Sequence, residues 1–332
     1  MKSKMTIRVS IIIPCFNEEK TIFQLLKGLV DQNFPLNQIE VVIADGQSTD
    51  KTREEIERFK KTHDQFPIIL VENPEKTIPS ALNRAIETAQ GKYIVRLDAH
   101  SKPDKEYVKN SIAGLEKKLG DNIGGVWRIR PGSNTWIAHS IAVAASHKLG
   151  VGNALYRYTT KADYVDTVPF GAFRKTLFER IGKFDETLLT NEDYEFNTRI
   201  RNSGGRVYLD PSIKTDYFSR PTLGALAKQY WRYGFWKLKM LRKFPTTVRS
   251  RQLLPPMFIL SLIISGLISI WFEPFRWLLA GEILLYLLTL CLASIRASIK
   301  ENDLRLLIGI PLAIATMHIS WGTGFLFSLF SR

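Results

Sequence analysis

Val9-Ser10-Ile11-Ile12-Ile13-Pro14-Cys15-Phe16-Asn17-Glu18 is a short apolar run closed by a proline and followed at once by polar residues. A run of that length bounded by a breaker suits a buried strand. Asn17 then offers a helix cap with Glu18 and Glu19 in the first turn, and Ile22, Leu25, Leu26, Leu29 and Val30 follow at helical spacing. The same alternation continues outward. Glu40 to Ala44 reads as a second strand ending at Asp45-Gly46, and Ser48, Thr49 and Asp50 open a helix that carries Ile56 and Phe59. Ile68 to Val71 is a third strand. Ile78, Ala81, Leu82, Ala85, Ile86 and Ala89 mark a third helix closed by Gly91, and Tyr93 to Leu97 is a fourth strand ending at Asp98. The strands are apolar throughout rather than alternating, as in a parallel sheet covered on both faces. The fold class is therefore α/β. Ligands of such sheets bind beyond the carboxyl ends of the strands, where Asn17, Glu18, Asp45 and Asp98 all fall. Neither GxGxxG nor a Walker A lysine loop is present, which argues against dinucleotide and P-loop readings.

Several carboxylates on one rim repel each other, and a divalent cation with a phosphorylated ligand resolves this. Mg2+ and Mn2+ favour few protein carboxylates plus phosphate oxygens. Asp98-Ala99-His100 is the candidate metal step, because residues i and i+2 at a turning strand end can reach one ion; a plain turn with a surface histidine gives the same spacing. Asn191-Glu192-Asp193-Tyr194-Glu195-Phe196 lies at a helix start, where acids suit the dipole and a first-turn carboxylate can also act as a general base. In Gln229-Tyr230-Trp231-Arg232-Tyr233, Gln229 and Arg232 share a helix face. Leu223, Leu226, Ala227, Tyr230, Trp231, Gly234, Phe235 and Leu238 form an apolar stripe with Lys228, Lys237 and Lys239 around it, the pattern of an interfacial or an ordinary amphipathic helix. Phe170-Gly171-Ala172-Phe173 stands open between a plain turn and the wall of a pocket.

The chain has 332 residues, 45% hydrophobic and 23% charged, with a formal net charge of +14. Such a composition is neither disordered nor fibrous. Cys15 and Cys291 alone make no disulfide framework or zinc cluster. The apolar residues concentrate at the end: Leu254 to Phe272 and Leu306 to Phe330 lack charges, and Trp277 to Ile295 has only Glu282. A helix crosses a bilayer with roughly 20 apolar residues, so about three spans are expected. The reading is a domain over 1–220, a basic amphipathic connector over 221–252 and a membrane region over 253–332. Residues 253–332 carry a net +1 and residues 1–252 the remaining +13. Lys237, Lys239, Arg242, Lys243, Arg249 and Arg251 just before the first run place the first domain in the cytoplasm, with the spans in the cell membrane. Met1 to Arg8 is polar and carries no signal peptide pattern. Glu282 should face protein or lie near a span end. His318 and Trp321 sit in the third run with Gly322 and Gly324, where close helix packing is expected.

The ordered series Pro14-Cys15-Phe16-Asn17-Glu18, Asp45-Gly46-Gln47-Ser48-Thr49-Asp50, Asp98-Ala99-His100, Glu192-Asp193 and Gln229 to Tyr233 resembles glycosyltransferase family 2, inverting enzymes with the GT-A fold. Gly150 to Ala154, Asp166 to Phe173 and Tyr230 to Lys237 are similar to the succinoglycan-biosynthesis glucosyltransferase type. The resemblance implies a GT-A nucleotide-diphospho-sugar transferase fold, mostly parallel with helices on both faces, followed by transmembrane helices. It implies an enzyme that moves a hexose from a UDP-sugar to a polyprenyl-diphosphate-linked saccharide at a membrane, in exopolysaccharide or cell-surface glycan synthesis. Pro14, Asn17 and Glu18 would line the nucleotide pocket and Asp45 would bind uracil. Asp98, with His100, would hold Mg2+ or Mn2+ under the diphosphate, and Asp193 would be the base. Gly171, Glu192, Gln229, Arg232 and Tyr233 would serve the acceptor or the diphosphate. His100 stands where the family has a second acid, and Tyr233 where it usually has tryptophan. The alternative is an inactive membrane scaffold or export component with a transferase-like domain. A nucleic-acid partner is not expected, since the basic excess is partly juxtamembrane, and a sugar nucleotidyltransferase would carry a glycine-rich loop that this chain lacks.

Overall fold

A computed structural model describes residues 6–245, 248 and 250–331. Residues 1–5, Arg249 and Arg332, which enter the charge reading, lie outside the described residues. Chain contacts divide it into two compact units, Met1–Arg128 with Thr159–Tyr217, and Ile129–Tyr158 with Phe218–Arg332.

The first unit is built on strand β1 (Val9–Cys15), all seven residues of which are buried. It pairs in parallel with β2 (Ile39–Asp45) on one side and β4 (Tyr93–Arg96) on the other, and β2 pairs in parallel with β3 (Ile68–Glu72). Val9, Ile11 and Ile13 face a core shared with α1 (Ile22–Val30), α2 (Thr52–Thr62) and α4 (Tyr107–Glu116). Helix α3 (Ile78–Thr88) packs against β1 and β2. An apolar strand run is needed because both faces are covered. Beyond β4 the sheet turns antiparallel. Its strands are β5 (Lys102–Pro103), β6 (Asn122–Arg130), β7 (Asp163–Tyr164), β8 (Ala172–Arg174) and β9 (Val207–Phe218). The order is β3-β2-β1-β4-β8-β6-β9-β5, with β7 paired to β9. Short α7 (Thr176–Ile181) and α8 (Glu192–Asn202) complete the unit. The parallel character is thus confined to the half that carries the acidic rim.

Two local expectations need correction. Helix α1 starts at Ile22 behind an N-cap at Thr21, with no acid in its first turn, so Asn17 is not its cap. Asn17 instead sits at φ 54°, a left-handed conformation that asparagine tolerates. Its side-chain oxygen accepts the Thr49 amide at 2.8 Å and its own amide donates to Ser48 Oγ at 2.9 Å. Likewise α2 starts at Thr52, whose amide and hydroxyl donate to Asp50 Oδ1 at 3.0 and 2.6 Å. The two acid-rich loops are hydrogen-bonded to each other through Asn17 and Glu19, while Asp50 also accepts from the first residue of α2.

The second unit holds α5 (Trp136–Ala145), α6 (Lys148–Val151), α9 (Leu223–Lys243), α10 (Ser250–Ile268), α11 (Glu273–Glu301) and α12 (Leu306–Phe330). Helix α12 is its centre, packed by α5, α9, α10 and α11. Two glycine contacts bring α9 and α12 together backbone to backbone: a Cβ on Gly234 would lie 2.1 Å from the Trp321 carbonyl oxygen, and one on Gly324 would lie 2.2 Å from that of Trp231. Gly322 likewise abuts the Pro255 carbonyl of α10. The glycines of the last apolar run therefore serve close packing. Leu226, Tyr230 and Gly234 of the apolar stripe are buried, and so is Lys237, at 2% exposure with Nζ 3.6 Å from Met240 Sδ; it does not belong to the charged rim of α9. Helices α11 and α12 are long and apolar enough to cross a membrane by length and composition; α10 is shorter. Among the described residues two helices meet that measure; the helical part of the run from Leu254 ends at Ile268, and the chain then turns into the proline-led start of α11. Glu282 accepts a hydrogen bond from Ser261 of α10, and His318 bonds Tyr286 at 3.1 Å and the Leu149 carbonyl at 2.9 Å.

Candidate active site

The register Cys15↔Asp45 and Asp45↔Glu72 brings the ends of the parallel strands to one edge. Pro14 is buried there opposite Ala44, and the chain passes through Asn17 to Glu18. The Glu18 amide donates to Thr52 Oγ1 at 2.7 Å; its carboxylate accepts Thr21 Oγ1 at 2.6 Å and bonds His100 Nδ1 at 3.0 Å. Burial pushes the Glu18 carboxyl up, but the bonds from His100 and Thr21 outweigh it and hold the group below the ordinary glutamate range. Asp45 is wholly buried and takes Ser48 Oγ at 2.5 Å and Arg53 Nε at 2.5 Å. Arg53 was not foreseen from the sequence, although a cation in the first turn of the following helix, eight residues on, is the partner a buried rim carboxylate requires. The Cys15 thiol reports the field of this rim: burial, then Asp45, Glu18 and Asp50, push its pKa far up, so it stays protonated.

Asp98 follows β4 and is half-buried. His100, expected beside it on one ion, is exposed and turned to Glu18. The residue that joins Asp98 to the rest of the site is Arg96, the last residue of β4 and 4% exposed. Arg96 Nη2 is 3.4 Å from Asp98 Oδ1 and 2.9 Å from Glu192 Oε1. Burial opposes the charge on Arg96, but Asp98, Glu192 and Asp193 together hold it on. Glu192 is pushed above the ordinary carboxylate range by burial and by Asp193, with Arg96 opposing. The sequence signal for Arg96 was a lone charge in an otherwise apolar strand.

Helix α8 begins at Glu192 behind Asn191 at φ 69°, and Glu192, Asp193 and Glu195 fill its first turn as expected. The Asp193 carboxylate accepts the Tyr194 amide at 2.7 Å. Side-chain bonds fix the helix, among them Tyr194 to Asp166 at 3.2 Å, Asn197 to Thr167 at 3.0 Å and Arg199 to the Ile181 carbonyl at 2.6 Å. Phe170 and Gly171, at φ 61° and 106°, turn the chain into β8, and the Gly171 carbonyl accepts the Arg96 amide at 2.9 Å. A Cβ on Gly171 would lie 2.3 Å from Asn122 Oδ1, so glycine is required here. The first unit thus gathers Glu18 with His100, and Asp98 with Glu192 and Gly171 around Arg96. Gln229, Arg232 and Tyr233 stand on α9 in the second unit, where Gln229 Nε2 donates to the Tyr233 hydroxyl at 2.9 Å. A separate cavity of about 470 Å3 in the first unit, lined among others by Lys118, Arg174, Arg180 and Arg206, contains none of these residues.

Among the described residues no group of three or more His, Cys, Asp and Glu side chains is arranged to hold a metal. Asp98 offers a single hard oxygen donor set, which suits an ion completed by phosphate oxygens rather than an all-protein cage.

The family described as Glycosyl transferase family 2 matches residues 10–182, more than half of the chain. A Methanococcus voltae protein named dolichyl N-acetyl-alpha-D-glucosaminyl phosphate 3-beta-D-2,3-diacetamido-2,3-dideoxy-beta-D-glucuronosyltransferase is 31% identical over 95% of both chains. The succinoglycan biosynthesis protein ExoA of Rhizobium meliloti (strain 1021) is 31% identical over 74% of this chain and 73% of its own. Among solved structures, the mannosyltransferase PcManGT from Pyrobaculum calidifontis, in complex with GDP-Man and Mn2+, superposes with a TM-score of 0.64 at 21% identity, covering 99% of this chain and 89% of that one. The fold is GT-A, the chain is a glycosyltransferase, and it belongs to glycosyl transferase family 2.

Proposed function

We propose that this enzyme transfers a sugar, with inversion, from a UDP-sugar to a polyprenyl-phosphate- or diphosphate-linked saccharide at the cytoplasmic face of a membrane. The names of the Methanococcus and Rhizobium relatives, one with a dolichyl-linked saccharide and one with succinoglycan, support the acceptor class. The two long apolar helices and the Lys/Arg residues that precede α10 support the membrane setting and its orientation.

Inverting transfer is one in-line displacement at the anomeric carbon. The attacking hydroxyl needs a base on one side of the sugar, and the leaving diphosphate needs charge stabilisation on the other. In this reading Asp193 takes the acceptor proton, Asp98 holds Mg2+ or Mn2+, and Pro14, Asn17, Glu18 and Asp45 line the nucleotide pocket. Gln229, Arg232, Tyr233, Gly171 and Glu192 serve the acceptor or the diphosphate. When bound, the ion supplies positive charge to the departing diphosphate. Asp98 fits that duty by its donor chemistry, and His100 contributes through Glu18, which it holds in place. The observation that carries the reading is the continuous contact Asp98–Arg96–Glu192, which ties the end of β4 to the helix turn bearing Asp193.

The test is Asp193→Asn in the full chain. A lost general base costs about a hundredfold or more in kcat, while nucleotide-sugar binding should survive. Radiolabelled UDP- and GDP-sugars are offered to membranes with a lipid-linked saccharide acceptor, and nucleotide binding is followed by calorimetry. Equal loss of binding and turnover would instead mark Asp193 as a helix-capping residue.

A further inference from the structure

Arg96 has no duty in the reaction as described above, yet its position demands an explanation. A guanidinium taken out of water is costly unless its charge and its donors are met. Here the charge is met by Asp98, Glu192 and Asp193, but the donors are not: Nε and Nη1 are buried without a hydrogen-bond partner, and only Nη2 is engaged. That one nitrogen is shared between an acid after β4 and an acid on α8, separated by 94 positions in the chain. The Phe184 ring lies 5.9 Å from the guanidinium carbon, and the Arg96 amide is fixed by the strained Phe170-Gly171 turn. A cation present only to stabilise the fold would be expected to satisfy its fork against one carboxylate, the bidentate geometry that arginine favours. This one is held by its surroundings at the point where two acids meet.

We propose that Arg96 is a positioning residue for sugar transfer: by sharing Nη2 between Asp98 and Glu192, it sets the spacing between the nucleotide end of the site and the turn of α8 that carries Asp193. The inference rests on the roles proposed above for Asp98 and Asp193. Its physical content is that a disturbance at Glu192 travels through Arg96 to Asp98. Lysine should not replace it, because a flexible, strongly hydrated point charge is not held rigidly at the meeting point of two acids as the planar guanidinium is.

The test is a double-mutant cycle in the full-length, detergent-solubilised protein, read by the affinity for UDP or GDP (whichever the wild type binds more tightly) with Mn2+ present. Thermal melting controls for folding. Glu192→Gln keeps the shape of the side chain and should weaken Mn2+-dependent nucleotide binding about three- to tenfold, and Arg96→Lys should do the same. The double variant should be no weaker than the worse single one, because the two residues act as one contact. A merely structural ion pair would lower the melting temperature without this loss of affinity in the folded fraction. Unchanged affinity in Glu192→Gln, or losses that multiply in the double variant, overturns the inference. Asp98→Ala separates the two levels. If it leaves Mn2+-dependent affinity intact, the reading of Asp98 fails and the inference falls with it. If it abolishes that affinity while Glu192→Gln is silent, only the role given to Arg96 is refuted.

Discussion

Each acid of the rim has a different partner, and that decides how each should respond to change. The Asp98 carboxylate meets Arg96 through one oxygen, at 3.4 Å, and in the proposed reading it is the group that meets a cation under the diphosphate. Asp98→Ala should lower nucleotide affinity in the presence of Mn2+ but not in EDTA; equal affinities with and without the ion in the wild type would reject the metal assignment. Glu18 is held below the ordinary glutamate range despite its burial, because His100 and Thr21 bond its charged form. A carboxyl whose pKa is lower in the folded state adds stability above its unfolded value, about 4.3, and loses it as pH falls through the folded value. Melting temperature should therefore drop more steeply below about pH 5 in the wild type than in Glu18→Gln; parallel curves would show that the Glu18–His100 contact is not formed. Asn17, Glu18, Asp45 and Asp98 could be read from the sequence because they follow apolar runs, and strand ends in a parallel sheet share an edge. What those runs concealed was the cation that each buried acid needs. Arg53 and Arg96 lie at the start of a helix and inside a strand, positions that a pattern of apolar spacing treats as incidental.

Elements recognised by their own periodicity were the easier part of the fold. The first four strands and three helices follow from local spacing, and α8 from its acidic first turn. The antiparallel strands β6, β8 and β9 carry no such signal: β8 has three residues, and β9 mixes buried, half-buried and exposed positions over twelve without a continuous apolar run. The apolar stripe of α9 was visible, but the sequence does not say what covers it. The answer is α12, and the contact depends on the absence of side chains at Gly234 and Gly324. Gly234→Ala or Gly324→Ala should each force the two helices apart at a cost of about 1–3 kcal/mol, seen as a lower melting temperature in detergent. An unchanged melting temperature in both variants would mean that α9 and α12 are not packed at those carbonyls. Alanine at Gly224, where nothing lies within 4 Å, is the matched control.

The chain enters the second unit twice, at Ile129 and again at Phe218. The excursion over 129–158 was not legible in the sequence, because an alanine-rich helix such as α5 reads equally well as part of any core. In the structure α5 packs on α12, with Ser140 against Gly309, and the Leu149 carbonyl bonds His318. A fragment of residues 1–220 therefore carries an apolar face of α5, Ile141 and Ala144 with Ile137, whose covering from the later helices has been removed. We expect this fragment to aggregate or to require detergent, whereas the full chain should pellet with membranes and be released by detergent but not by high salt; a soluble, monomeric, cooperatively melting fragment would contradict this division. The same connectivity bears on biosynthesis. Trp136 leaves the ribosome roughly 170 residues ahead of Leu306, a delay of about 10–30 s at ordinary elongation rates. During that interval α5 waits without its partner, and the newly made protein needs a chaperone or a lipid surface to shelter it until α12 emerges.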